Sequence, residues 1–190
     1  MNQAARDVAG IAALILAACQ SPSTELESMH NNSMRDLEGG DLLTPLGDDY
    51  GERQARRIER VYEISRSGGI ESATDHYYAG LLLASSSRPQ DLELARSMGL
   101  AAGEQGEERG FRIAAEAIDK GLRLKGEPQR YGTQISFVPV LKEWRLDPLD
   151  PRTTDEERCA MGVAPLAELT ERERLLNLPH KLDAAGIQTP

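Results

Sequence analysis

The sequence predicts a mainly α fold: an antiparallel array of helices followed by a small β-hairpin and two short C-terminal helices. Three observations lead there. Hydrophobic residues make up 39% of the 190-residue chain but aromatics only 4%, so the core has to come from Ala, Leu, Ile and Val, the filling of closely packed helices. Apolar residues recur at helical spacing between Asp49 and Leu122, in segments broken by Gly68-Gly69, Ser85-Ser86-Ser87 and the glycines at 103 and 106. After Gln134 the spacing changes to short, partly alternating runs. One continuous core suits this length.

The first segment reads as an address. From Val8 to Ala18 the chain is uncharged and apolar; the run is too short for a permanent membrane span and fits the apolar region of a secretory signal. It ends in Leu16-Ala17-Ala18-Cys19, which resembles the lipobox of bacterial lipoproteins. That resemblance implies cleavage of residues 1–18 and acylation of Cys19, and Gln20 in place of Asp implies sorting to the outer membrane. The other reading of the run is a buried core helix carrying a free cysteine. Residues 19–48 carry Ser, Asn, Gly, Asp and Pro with no sustained period and read as a flexible linker. Met29, Met34, Leu37, Leu42 and Leu43 could form a short docking helix there, and His30 is expected to be solvated. Cys159, left as a lone thiol, is expected to be buried and inert.

The formal charge of −9 and pI near 4.9 exclude a phosphate-backbone partner, because nucleic-acid binding needs clustered Lys and Arg. The body begins with a helix from N-cap Asp49 to about Ser67, whose inner stripe is Ile58, Val61, Tyr62 and Ile64. Its Arg53, Arg56, Arg57 and Arg60 could form an anion patch, and interleaved Glu52, Glu59 and Glu63 favour a salt-bridged solvent face. A second helix spans Ile70 to Ser85. A third opens at Pro89 and presents Leu92, Ala95, Gly99 and Ala102, small enough to let a neighbour approach closely. The fourth carries Phe111, Ala114, Ala115, Ile118 and Leu122 and closes at Gly126-Glu127-Pro128.

Helix then gives way to Gln129-Arg130-Tyr131-Gly132-Thr133-Gln134, two carboxamides, a phenol, a hydroxyl and a guanidinium around one glycine. A hairpin follows over about 134–147, with Pro139 on an edge strand and Lys142-Glu143 as its turn. Asp147-Pro148-Leu149-Asp150-Pro151 makes a rigid crossing. Thr153 or Thr154 with a Glu three residues on supplies a capping box for a short helix ending at Gly162. Pro165 opens a last helix through about Asn177, with Leu166, Leu169 and Leu175/Leu176 inward, and the tail from 179, with His180, is expected to fray.

Two resemblances bear on this body. Tyr77-Tyr78-Ala79-Gly80-Leu81, Ala95, Ala101-Ala102-Gly103 and Ala114-Ala115 resemble the Ala/Gly/Leu rhythm of Sel1-like and tetratricopeptide repeats, here as a packing style rather than a repeat array. Asp119, residues 126–134, residues 147–151, Glu157-Arg158 and Gly162-Val163-Ala164-Pro165-Leu166 resemble an uncharacterised bacterial domain family marked by a Gln-x-Tyr-Gly-Thr-Gln signature, over roughly residues 70–170. That family's pattern has Gln-His and Asp-Arg where this chain has Ala84-Ser85 and Asp119-Lys120; if the family histidine does base or metal work, this chain lacks it.

Three functions remain open for the junction. A hydrolase acting on peptide or glycan would use Asp119 as base, Tyr131 as acid, His76 as a second base and the Gln129/Gln134 pair to orient substrate. No nucleophile motif, His-x-x-x-His, cysteine pair or phosphate loop accompanies them, so no metal or cofactor is expected. In the structural reading Gln129, Thr133 and Gln134 satisfy open backbone groups, Gly132 supplies a positive φ and Tyr131 packs on the helices. In the third reading Gln129, Arg130, Tyr131, Thr133 and Gln134 line a binding site for an envelope protein, peptide or glycan, on a module anchored through Cys19.

Overall fold

The computed structural model describes residues 21–38 and 49–178. Residues 1–20, with the apolar run and Cys19, and the tail from 179 lie outside the described residues. Among the described residues seven helices and two strands follow one another: α1 (Pro22–Glu38), α2 (Tyr50–Arg66), α3 (Ala73–Ala84), α4 (Pro89–Glu104), α5 (Arg109–Leu124), β1 (Ile135–Val138), β2 (Glu143–Leu146), α6 (Asp155–Ala160) and α7 (Leu166–Leu176). The fold is mainly α with a small antiparallel hairpin and two short C-terminal helices. Among the described residues no helix is long and apolar enough to cross a membrane.

Helix α3 lies at the centre and packs on α1, α2, α4 and α5. Its sequence explains this: Ala79, Gly80, Leu82 and Leu83 are buried on more than one side. Ser72 and Asp75 form a capping box at its start, so the helix begins at Ala73 rather than at Ile70. Leu26, Ile58, Val61, Ile64, Ala79, Leu82, Leu83, Ala95 and Ala117 make the larger core cluster. A smaller one, of Ala115, Tyr131, Val163 and Leu169, lies where the C-terminal third covers α5.

Helices α4 and α5 meet with almost nothing between their backbones. A Cβ on Gly99 would stand 2.6 Å from the Gly110 carbonyl oxygen and 2.7 Å from the Ala114 nitrogen. Gly110 is equally committed, facing the Gly99 carbonyl.

The linker expected over 19–48 holds a helix instead across Pro22–Glu38. Its apolar content is low, and polar contacts fix it. Glu25 accepts from Arg60 Nε at 2.7 Å and Nη2 at 3.1 Å. Asp36 takes Arg53 at 3.1 Å and Arg57 at 2.5 Å, and Ser33 donates to Gln54 at 3.0 Å. Ser23 donates to Asp75, and Leu26 is fully buried. The arginine face of α2 is therefore largely the seat of α1. His30 is half-buried against the Tyr78 ring at 5.8 Å rather than solvated, and burial lowers its pKa.

The strands pair Ile135 with Leu146 through Val138 with Glu143. The turn falls on residues 139–142, with Leu141 N–H donating to the Val138 carbonyl at 3.1 Å, so Glu143 is a strand residue and not part of the turn. Pro139 takes the second turn position, where its fixed φ fits. Helix α7 differs from expectation in its inner face: Leu169 is buried, whereas Leu166, Leu175 and Leu176 are exposed. Its remaining inward residues are Glu173, which accepts from Leu146 N–H at 2.8 Å, and Asn177, which brackets Trp144 N–H at 2.7 Å and the Trp144 carbonyl at 2.8 Å. The helix lies along the open edge of β2, and polar side chains close that edge. In α6 Thr154 and Glu157 form the capping box. Arg158 takes the buried position there, its guanidinium donating to the Thr153 carbonyl at 2.9 Å and Asp155 at 3.0 Å. Cys159, one residue on, is consequently exposed.

Candidate functional site

The segment 129–134 wraps around one carboxylate. Asp119 sits on the inner side of α5 and is fully buried. Its Oδ1 accepts from the backbone N–H groups of Arg130 at 2.7 Å and Tyr131 at 2.9 Å. Its Oδ2 accepts from the N–H groups of Gly132 and Thr133 and from the Thr133 hydroxyl, each at 2.9 Å. Successive N–H groups can aim inward only if the chain turns through a left-handed residue, which Gly132 supplies at φ 97°. A side chain there would also strike the Leu169 methyl, 2.5 Å from the Cβ position.

Gln129 holds the other side of the loop. Its Nε2 donates to the carbonyls of Gln134 at 2.9 Å and Asp147 at 2.8 Å, and its Oε1 accepts from Gln134 N–H at 2.8 Å. Its backbone bridges to the crossing through the Pro148 carbonyl and Asp150 N–H, both at 2.8 Å. Tyr131 is a core residue beside Ala115, Val163 and Leu169, and burial raises its pKa. Arg130 lies outside, 5.2 Å over the Tyr131 ring and paired with Glu157 at 3.0 Å.

These contacts decide what the predicted site residues can do. A carboxylate offers about four lone-pair sites, and five donors converge on those of Asp119. None is left to take a proton from a substrate. Gln129 spends both ends of its amide on backbone groups. His76 is not brought to the cluster: its Nδ1 bonds the Ser72 carbonyl at 2.8 Å in the first turn of α3. It lies about 12 Å along that helix from Ala84, whose carbonyl Lys120 Nζ reaches at 3.0 Å, together with that of Ser85 at 2.9 Å. The dipeptides Ala84-Ser85 and Asp119-Lys120 thus touch, with Lys120 capping the end of α3 and its pKa lowered by burial.

Of the predicted binding residues, Thr133 reaches the surface side of the junction. There it borders a recess of about 170 Å³ with Arg112, Glu116, Gly132, Ile135, Leu146, Leu169 and Arg172. Arg112 is held by Glu116 at 3.0 Å. Arg172 lies on α7 at the rim and makes no hydrogen bond or ion pair with a described residue. A larger hollow of about 290 Å³ between α4 and α5 has mostly aliphatic walls, with Glu93, Arg96 and Lys125 at its margin, and no polar groups converge in it.

Sequence reasoning missed Arg112, Glu116 and Arg172, which lie up to sixty residues apart and share no motif. It also missed a second buried carboxylate, Asp91, which accepts from Tyr62 at 2.8 Å, Ser86 at 2.5 Å and Arg88 at 2.7 and 2.9 Å. The spacing of Ser86 and Arg88 to Asp91, at a proline-started helix, was the readable signal. Among the described residues no group of three or more His, Cys, Asp or Glu side chains is placed to hold a metal. Compared with protein-family models, curated proteins and solved structures, the chain finds no match in any of the three.

Proposed function

We propose that this chain is a non-catalytic binding module of a bacterial cell envelope. In this reading it is exported, held through an acylated Cys19 at the outer membrane facing the periplasm, and engages a carboxylate-bearing peptide or glycan at the recess beside the helix-to-hairpin junction. The observation that carries the binding half is the recess: an arginine without a partner among the described residues, beside Arg112 and Thr133 over an apolar floor of Ile135, Leu146 and Leu169. Guanidinium groups suit planar carboxylates. The anchoring half rests on the sequence from Val8 to Cys19. Against the hydrolytic alternative stands the bonding of Asp119 and Gln129 to backbone groups.

Each half has its own test. Cells fed a fatty-acid probe are expected to label the wild-type chain and not Cys19→Ala; an unlabelled wild type overturns the anchor. Muramyl dipeptide joins a glycan, a peptide and a free carboxylate, and is expected to bind the purified protein in a calorimetric titration. Arg172→Ala, at an exposed position, is expected to weaken that binding about tenfold, the equivalent of one charge-assisted hydrogen bond of about 1.5 kcal/mol. Equal affinity of the variant removes the recess from the reading.

A further inference from the structure

The β1–β2 turn carries side chains that its turn geometry does not call for. Pro139 suits the second turn position, and Lys142 is left-handed at φ 52°, but turns otherwise favour Gly, Asn, Asp and Ser. Here the turn exposes two aliphatic residues, Val140 at 93% and Leu141 at 56%. From Ile135 to Lys142 the single charge is that of Lys142, in a chain of net charge −9 with 28% charged residues. One pair behind the turn, Phe137 and Trp144 face each other across the strands with ring centroids 5.4 Å apart.

An aliphatic tip, a cation beside it and an aromatic pair behind it form the sequence of side chains that suits the boundary between lipid tails and headgroups. Charge points the same way. An acidic surface is repelled by anionic lipid, whereas the 139–142 turn carries a lysine and no acid, and Glu143 behind it is paired with Arg145.

We infer that the 139–142 turn is a shallow membrane-contacting wedge: Val140 and Leu141 enter the lipid interface, Lys142 meets lipid phosphate, and Phe137 and Trp144 sit at headgroup level. Two aliphatic side chains hold a protein on a bilayer too weakly by themselves. The wedge therefore builds on the anchored reading above, in which the tether keeps the tip near lipid and the tip orients the domain.

Trp144 is the single tryptophan of the chain, so its emission reports the hairpin alone. The full-length protein, extracted from the membrane fraction and reconstituted in vesicles of phosphatidylcholine and phosphatidylglycerol, is expected to show blue-shifted emission. Brominated lipid is expected to quench it about twofold. The double variant Val140→Asp/Leu141→Asp should lose both effects while keeping the wild-type melting curve, since both side chains point into solvent. Unchanged wild-type emission in a chain that is acylated at Cys19 overturns the wedge. So does an equal response of the variant, or a shift that follows protein concentration without lipid, which marks self-association. If Cys19 proves unacylated the anchor fails by itself. The full chain carrying an amino-terminal histidine tag and held on vesicles by nickel-chelating lipid then decides the wedge: bromolipid quenching that the double variant lacks supports it, and no quenching overturns it.

Discussion

Five donors converge on the two oxygens of Asp119, and four of them are backbone groups with no other acceptor within the loop. Asp119→Ala leaves those N–H groups unpaired around a buried void. At roughly 1–3 kcal/mol for each buried group left unsatisfied, with partial relief by water, the expected loss is at least about 3 kcal/mol. Urea unfolding measures it, and Asp119→Asn should fall between the two because its one carbonyl oxygen still accepts. Asp91 offers a pH test. Burial alone would raise its pKa, and hydrogen bonds from Arg88, Ser86 and Tyr62 outweigh that and hold it below the ordinary aspartate value of 3.8. The unfolded chain then binds the proton more readily, so the stabilisation is complete above the unfolded value and fades as pH falls through it toward the folded one. Asp91→Asn is expected to melt lower at neutral pH and to show a flatter decline between about pH 5 and pH 3. The polar richness of 129–134 was legible in the sequence; that four of its backbone N–H groups, joined by the Thr133 hydroxyl, converge on Asp119 was not.

At the scale of elements, the boundaries were the legible part. Asp49, Pro89, Thr154 and the glycines and serines between helices act on their neighbours in the chain, so they declare themselves locally. Which face turns inward depends on the neighbour. Helix α7 shows this: four residues of helix advance about 6 Å and two residues of strand about 6.8 Å, so Glu173 and Asn177 match the spacing of Leu146 and Trp144 along the edge of β2. A leucine-based prediction has no means of anticipating a helix that packs on a strand edge. The α4–α5 crossing lies between these cases. Gly99 was readable as a small residue at a close approach, but its counterpart Gly110 was not. Gly99→Ala is expected to cost about 1–3 kcal/mol despite the better helix propensity of alanine, because its Cβ would stand 2.6 Å from a backbone oxygen on α5. A lowered melting temperature checks this, and a variant that melts higher contradicts the tight crossing.

Across the whole molecule, α5 joins the two core clusters: Ala117 belongs to the larger and Ala115 to the smaller. The helical body and the C-terminal third are thereby tied through one element, with Asp119 on it gripping the junction. Composition, charge and spacing by themselves determined that the protein is mainly helical, acidic and carries a hairpin after its helical array, because those properties sum over many residues or act within a few. The tertiary structure decided the rest: that α1 docks through ion pairs on the arginine face of α2, that Arg112 and Arg172 come to one recess, and that the densest polar stretch is held by a buried carboxylate. Each depends on groups 11 to 60 residues apart in sequence, whose meeting is set by how the helices pack and leaves no mark on local periodicity.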